Sequence, residues 1–356
     1  MDQNIFPENE APVNEDLRAE HIRKPSIMQV GIVYSISVIL LFILGSKAQQ
    51  REFYSGALIT EFVLVLAPAL IMLLIFKYDI RKVLRLNRIS FMNIFLVFWI
   101  MIFAIPVVTV LNLANYWLIK YIFGKVVIEQ PPIATDAKGL IISLLIIAGS
   151  AGICEEVLFR GVILRGLERF GAVKAILFTA LLFGLMHVDF QKLLGTFLLG
   201  ALIGFMVYRT DSLFAGMFAH FTNNATAVVI VYASTKLADM VKSPGVQNSI
   251  KSGSDIDFSS LINMPKAQLI AAIIVYGFVI AFCVAVFIGL LKAFIKNTSK
   301  ESASIAREAG GYKAAQMLWM LPGLAVVGFL YFVEGLRLKG ITIHAVENVL
   351  KFLGVK

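Results

Sequence analysis

Three short stretches set acids, imidazoles and amides at helical spacing: "EEVLFR" at 155–160, "FGLMH" at 183–187 and "HFTNN" at 220–224. In a helix, Glu156 and Arg160 are four apart with the acid N-terminal, the better orientation for an ion pair. That pairing neutralises Glu156 and leaves Glu155, about 100° round the helix, to face something else. Phe183 and His187 share a face by the same spacing, as do His220 and Asn224, with Asn223 turned aside. Each set alone has a plain structural explanation: interfacial carboxylates, a satisfied core histidine, or polar glue between helices. Together they can do chemistry. A carboxylate withdrawn from water serves as a general base near neutral pH, and a histidine beside it can hold and polarise a water molecule. A second histidine and an amide can donate hydrogen bonds to a developing oxyanion. Water, base and oxyanion donors together describe amide hydrolysis without a covalent intermediate. Cys154 adjoins Glu155 but points to a different helix face, and no serine or cysteine is arranged as a triad.

The elements that must hold these residues are apolar. The chain of 356 residues is 59% hydrophobic and only 15% charged, where a soluble domain has roughly 45–50% and about 25%. This composition implies an all-α, polytopic transmembrane bundle, since helices satisfy their own backbone in lipid. The net charge of +9 does not point to nucleic acid. The lysines and arginines fall between apolar runs, as topology anchors beside anionic lipid do, so the expected partner is the bilayer. Cys154 and Cys283 both lie in apolar runs, and no structural disulfide is expected.

Runs long enough to span, about 20 mainly apolar residues, fall near 27–46, 53–76, 92–118, 139–165, 174–189, 192–208, 213–234, 268–291 and 316–335. That gives nine spans, with eight as the alternative because 174–208 also reads as a re-entrant pair. Residues 1–25, acidic and carrying Pro7, Pro12 and Pro25, read as a disordered cytoplasmic tail with no cleavable signal. Residues 26–136 hold the first spans, 137–235 a catalytic helical core with all three motifs, and 236–356 a Ser/Gly-rich loop and the last spans. Lys77, Arg81, Lys82, Arg85 and Arg88 crowd one short connection, and Arg160, Arg165, Arg169 and Lys174 another. By the positive-inside rule they place the N-terminus on the cytoplasmic side of a cell membrane.

Counting inward from that side at ~1.5 Å per residue puts Glu155 roughly 15–21 Å deep, His187 roughly 20 Å and His220 roughly 12 Å. These depths overlap, so the motifs can meet in one polar intramembrane cavity. With His220 shallowest, and the runs "LIISLLIIAG" and "LFTALLFG" apolar, the cavity is expected to open toward the N-terminal side.

In order and in consecutive apolar segments, the three motifs resemble the signatures of the CAAX protease and bacteriocin-processing (CPBP, abortive-infection) family of intramembrane glutamate-dependent endopeptidases. The pattern Glu-Glu-x-x-x-Arg, Phe-x-x-x-His, His-x-x-x-Asn is matched without departure, and the resemblance covers roughly residues 140–235. It implies that Glu155 activates water with help from His187, and that His220 and Asn224 form the oxyanion site. Glu156, Arg160 and Phe183 then support. The implied partner is a peptide or membrane-protein substrate, and nothing fixes an oligomeric state. No cofactor and no metal ligand are expected, although Glu155, His187 and His220 are a conceivable zinc set. Two other readings compete: a non-catalytic immunity or scaffold membrane protein, and a proton-coupled transporter with a Glu/His relay. The second predicts broken helices in two matching halves, and the halves here do not resemble each other.

Overall fold

The computed structural model describes residues 22–127, 136–241, 264–298 and 314–344, with 346, 348 and 349. The chain is a helical bundle. Its elements are α1 (Ile27–Arg51), α2 (Phe53–Ile75), α3 (Phe91–Phe123), α4 (Ala137–Phe170), α5 (Ala172–Met186), α6 (Phe190–Thr210), α7 (Leu213–Val241), α8 (Lys266–Asn297) and α9 (Ala315–Leu338). Eight of these are long and apolar enough to cross a membrane, so the chain is a multi-pass membrane protein. The exception is α5. Its 15 residues reach only ~22 Å, short of a bilayer core of about 30 Å. The run expected to span at 174–189 therefore stops early, turns at 187–189 and packs back on α6. The expected tail lies outside the described residues up to residue 21, His21 included, and so does 242–263 of the loop.

Local sequence explains where helices begin. Amides of a first turn have no helical partner and are costly to leave bare in lipid. Ser26 caps α1 in a capping box, its Oγ accepting from Gln29 N–H at 3.2 Å while Gln29 Oε1 accepts from Ser26 N–H at 2.7 Å. Glu52 caps α2 through the amides of Tyr54 and Ser55, and Ser90, Asp136 and Asp189 cap α3, α4 and α6. Gly124 ends α3 at φ 86°, a left-handed conformation that glycine adopts without penalty.

Cross-contacts sort the helix ends onto two faces. Arg23 donates to Phe76 O, Arg169 to Pro25 O, Asn87 to Asp211 O and Arg209 to Ile295 O. These join the N-terminus, the 76–90 connection and the ends of α4, α6 and α8 on one side, the N-terminal face. On the far face, Asn115 on α3 reaches Phe190 O, Glu334 on α9 accepts from Phe190 N–H, and Tyr54 on α2 meets Ser143 on α4. The helices thus alternate in direction only when the short α5 is counted, and the long helices α4 and α6 on either side of it run parallel.

The centre of the bundle is the second half of α4. Leu158, Ile163, Leu164 and Leu167 are fully buried, with α1, α2, α5 and α7 packed around them. By contrast α8 lies at the edge against α3 and buries almost none of its span. A helix enclosed by protein on all sides can carry an arginine and two carboxylates at bilayer depth, because they face partners instead of lipid.

Candidate functional site

The winding of α4 changes at the acids. Leu144–Ser150 and Val157–Ile163 are wound with i→i+5 bonds, and the α-helical turn Ala151–Glu156 sits between them. Such wide turns re-aim side chains and recur at functional sites. Two more line the same space, at Leu41–Gly45 in α1 and Ile59–Leu66 in α2. On the α7 side, a methyl on Gly152 would lie 3.1 Å from Met217 O and 3.2 Å from Phe221 N. Glycine lets the two backbones close up, which brings His220 of α7 to the acids.

The Glu156–Arg160 pair forms as the spacing predicts. Arg160 Nη1 donates to Glu156 Oε1 at 2.7 Å, Nη2 donates to Gly200 O at 2.8 Å, and the guanidinium lies 4.6 Å from the centre of the Phe183 ring. Glu156 is 0% and Arg160 1% exposed. Glu156 also binds His220 Nδ1 at 2.9 Å, and the other edge of that ring, Nε2, stands 4.0 Å from Glu155 Oε2. Phe183 lies edge-on to both imidazoles, with ring centres 4.9 Å from His187 and 5.7 Å from His220. One aromatic ring thus spaces two histidines and covers the arginine.

His187 sits just past the end of α5, where the chain turns through Val188 at φ 46°. A β-branched residue in the left-handed region costs of order 1–3 kcal/mol and persists only where neighbours enforce it. Here the amides of His187 and Val188 are tied to Gly184 O and Leu185 O, and Glu334 takes the amide of Phe190. His187 Nδ1 lies 2.9 Å from Phe183 O. A carbonyl can only accept, so Nδ1 carries the hydrogen. In the neutral ring that leaves Nε2 as an acceptor.

Glu155 and His187 face a common cavity of about 350 Å³, lined also by Ser46, Gln49, Thr60 and Glu61. Glu155 Oε2 is buried there without a hydrogen-bond partner. A second space of about 460 Å³ shares Phe42, Ser46 and His187 with the first and continues past Asp189, Lys192 and Arg337. Both belong to the far face, since Ser46, Gln49, Thr60 and Arg337 lie at the far ends of α1, α2 and α9.

This corrects the expected opening toward the N-terminal side. That side is closed by a buried ion cluster. Arg85 Nη2 contacts Glu168 Oε1 and Arg85 Nε contacts Asp211 Oδ1, each at 2.5 Å, and Arg165 and Lys24 also reach Glu168 at 3.0 and 3.4 Å. Counting inward from Arg165–Arg169, Lys174 and Ser212 presumes a solvated rim and an apolar far half, but Arg165 is drawn into this cluster. The α1–α2 hairpin supplies the polar lining of the far half.

Of the residues expected to act, the structure brings Glu155, Glu156, Arg160, Phe183, His187 and His220 together. Asn224 is one turn beyond His220. Its amide donates to Ile147 O at 3.4 Å, its Oδ1 accepts from Asn223, and it is not among the cavity-lining residues. Cys154 and Cys283 are free thiols, both buried. Among the described residues, no three His, Cys, Asp or Glu side chains are grouped as a metal site. Sequence reading missed Glu61. Its signal was a lone acid nine residues into α2, in "ITEFVLVL", which passes for an interfacial residue.

A bundle of membrane-length helices packed round a Glu/His cavity defines the class, a polytopic membrane protein with a polar site among its helices. Residues 137–226, the stretch that holds every motif, match the family model for Type II CAAX prenyl endopeptidase Rce1-like proteins. This is the family that the three motifs resemble, and it points to CAAX-type intramembrane peptidase activity. No curated protein and no solved structure matches the chain.

Proposed function

We propose that this protein is an intramembrane endopeptidase that cleaves peptide or membrane-protein substrates with a water molecule activated by Glu155. The supporting observation is the buried, unpartnered Oε2 of Glu155, aimed into a cavity it shares with His187. An unpaired carboxylate at this depth is costly unless it has work to do. Glu156 also has a bare Oε2, but its Oε1 is held by Arg160 and His220, whereas Glu155 has only the His220 edge 4.0 Å away.

Water between Glu155 and His187 gives its proton to Glu155 while His187 Nε2 accepts the second hydrogen and orients the attack. His220, with Nδ1–H on Glu156, turns Nε2 toward Glu155. That edge is directed at the place where the tetrahedral oxyanion forms. Asn224 adds its amide to the oxyanion once it leaves Ile147 O. Glu156 and Arg160 hold His220 in register and touch no substrate.

The chain is placed in a cell membrane with its N-terminal face in the cytoplasm, on the strength of the basic clusters on that face. The cavity mouth then faces away from the cytoplasm. The test is to compare peptides released in membranes bearing the wild type or Glu155→Gln. Fragments that depend on the carboxylate identify substrates, and identical peptide sets would reject the reading.

A further inference from the structure

Glu61 lies outside the three motifs, and the mechanism above does not use it. It sits in the widely wound stretch Ile59–Leu66 of α2, which packs against both Ala151–Glu156 and Val157–Ile163 of α4. Its side chain lines the same cavity as Glu155 and His187. The Oε2 atoms of Glu61 and Glu155 are both buried without a hydrogen-bond partner.

The two carboxyl groups differ in company. Glu155 has His220 Nε2 at 4.0 Å and the Arg160–Glu156 pair behind it. Among the described residues, Glu61 has no cation within ion-pair distance. The polar groups lining the cavity beside it are neutral, namely Ser46, Gln49 and Thr60, and Gln49 Nε2 donates to Thr60 Oγ1 at 3.1 Å. Two carboxyl groups in one desolvated space resist ionising together, so they share one charge and one proton between them. Paired carboxyls in unlike surroundings divide into acid and base on this principle.

We propose that Glu61 is a second catalytic carboxyl group, the acid that protonates the leaving amine while Glu155 acts as base. The proposal rests on the water-activation reading of Glu155. Glu155 takes a proton from water as the water oxygen bonds to the carbonyl carbon. The C–N bond then breaks, the nitrogen keeps the bonding pair, and it receives the proton of Glu61. The products are a carboxylic acid and an amine. One proton then passes through water from Glu155 to Glu61, which restores both groups. No other reactant is consumed.

The test uses the purified full chain and two substrates with the same acyl sequence, one a peptide amide and one a nitrophenyl ester whose leaving group departs without a proton. Glu61→Gln keeps shape and removes the acid. Its amide turnover should fall by ~10²-fold or more, with ester turnover within a few-fold of wild type. Glu61→Asp, which keeps a proton to give, should retain measurable amide turnover. Both substrates are measured on one preparation, so any misfolded fraction cancels in their ratio. Equal loss on both substrates, or loss on neither, overturns the role of Glu61. Glu155→Gln should lose both activities. If it keeps them, the failure lies with the base, and the acid assigned here falls with it.

Discussion

Removing Arg160 should unfold the centre of the bundle, and the structure sets the size of the effect. In Arg160→Met the side chain keeps its apolar length, but Glu156 loses the 2.7 Å bond and Gly200 O the 2.8 Å bond. Glu156 is fully buried and keeps only its 2.9 Å bond to His220, and breaking a buried ion pair by removing one member costs about 3–5 kcal/mol. Gly200 O, inside α6, keeps its helical bond from the amide four residues on and adds little. Set against a net stability of ~5–15 kcal/mol, that loss should show as low abundance and an early melting transition in detergent. The double variant Glu156→Gln/Arg160→Met removes the buried charge while Gln Oε1 still accepts from His220. It should regain at least half of the lost stability, because taking away both partners of a buried pair is far cheaper than taking one. Melting of wild type, single and double variants in one detergent is the assay. A single variant as stable as the wild type, or a double variant worse than the single, would refute this account of the support residues.

Gly216→Ala should be damaging although it adds one methyl group. The new Cβ would lie 2.7 Å from Glu156 Oε2 and 2.6 Å from Val207 Cγ2, and overpacking of this kind costs about 1–3 kcal/mol; unchanged melting and activity would show that Glu156 can move freely. Chelator treatment should leave peptidase activity intact, and elemental analysis should find no stoichiometric zinc. Activity abolished by a chelator and restored by zinc would overturn this. In a variant without native cysteines, Ser46→Cys should react with an impermeant thiol reagent from the side opposite to that which labels Lys77→Cys, and the Lys77 site should be cytoplasmic. Labelling of both from one side would contradict the opening described here.

The sequence showed pairings within a helix far better than neighbours between helices. Glu156 and Arg160 could be paired from spacing because the helix itself sets their geometry, and Glu155 was left over for the same reason. Phe183 and His187 shared a face as expected, but that one ring would also set the position of His220 depends on how α5 and α7 cross. The direction of the cavity was hidden because it depends on the α1–α2 hairpin, whose Ser46, Gln49, Thr60 and Glu61 are scattered singly among apolar residues. The basic residues of the N-terminal face suggested a wet rim. Glu168 and Asp211 turn them into a seal, which no count of lysines and arginines could reveal. The early stop of α5 follows from "HVD" at 187–189, where Asp189 starts α6 as its cap.

The central claim is that Glu155 activates the attacking water. The most direct measurement is single-turnover cleavage of a peptide by purified Glu155→Gln beside the wild type, with both proteins shown to melt alike. Glutamine keeps the shape and removes the base, so the account predicts a loss of at least ~10²-fold in the rate of cleavage. Cleavage by Glu155→Gln at close to the wild-type rate would contradict it.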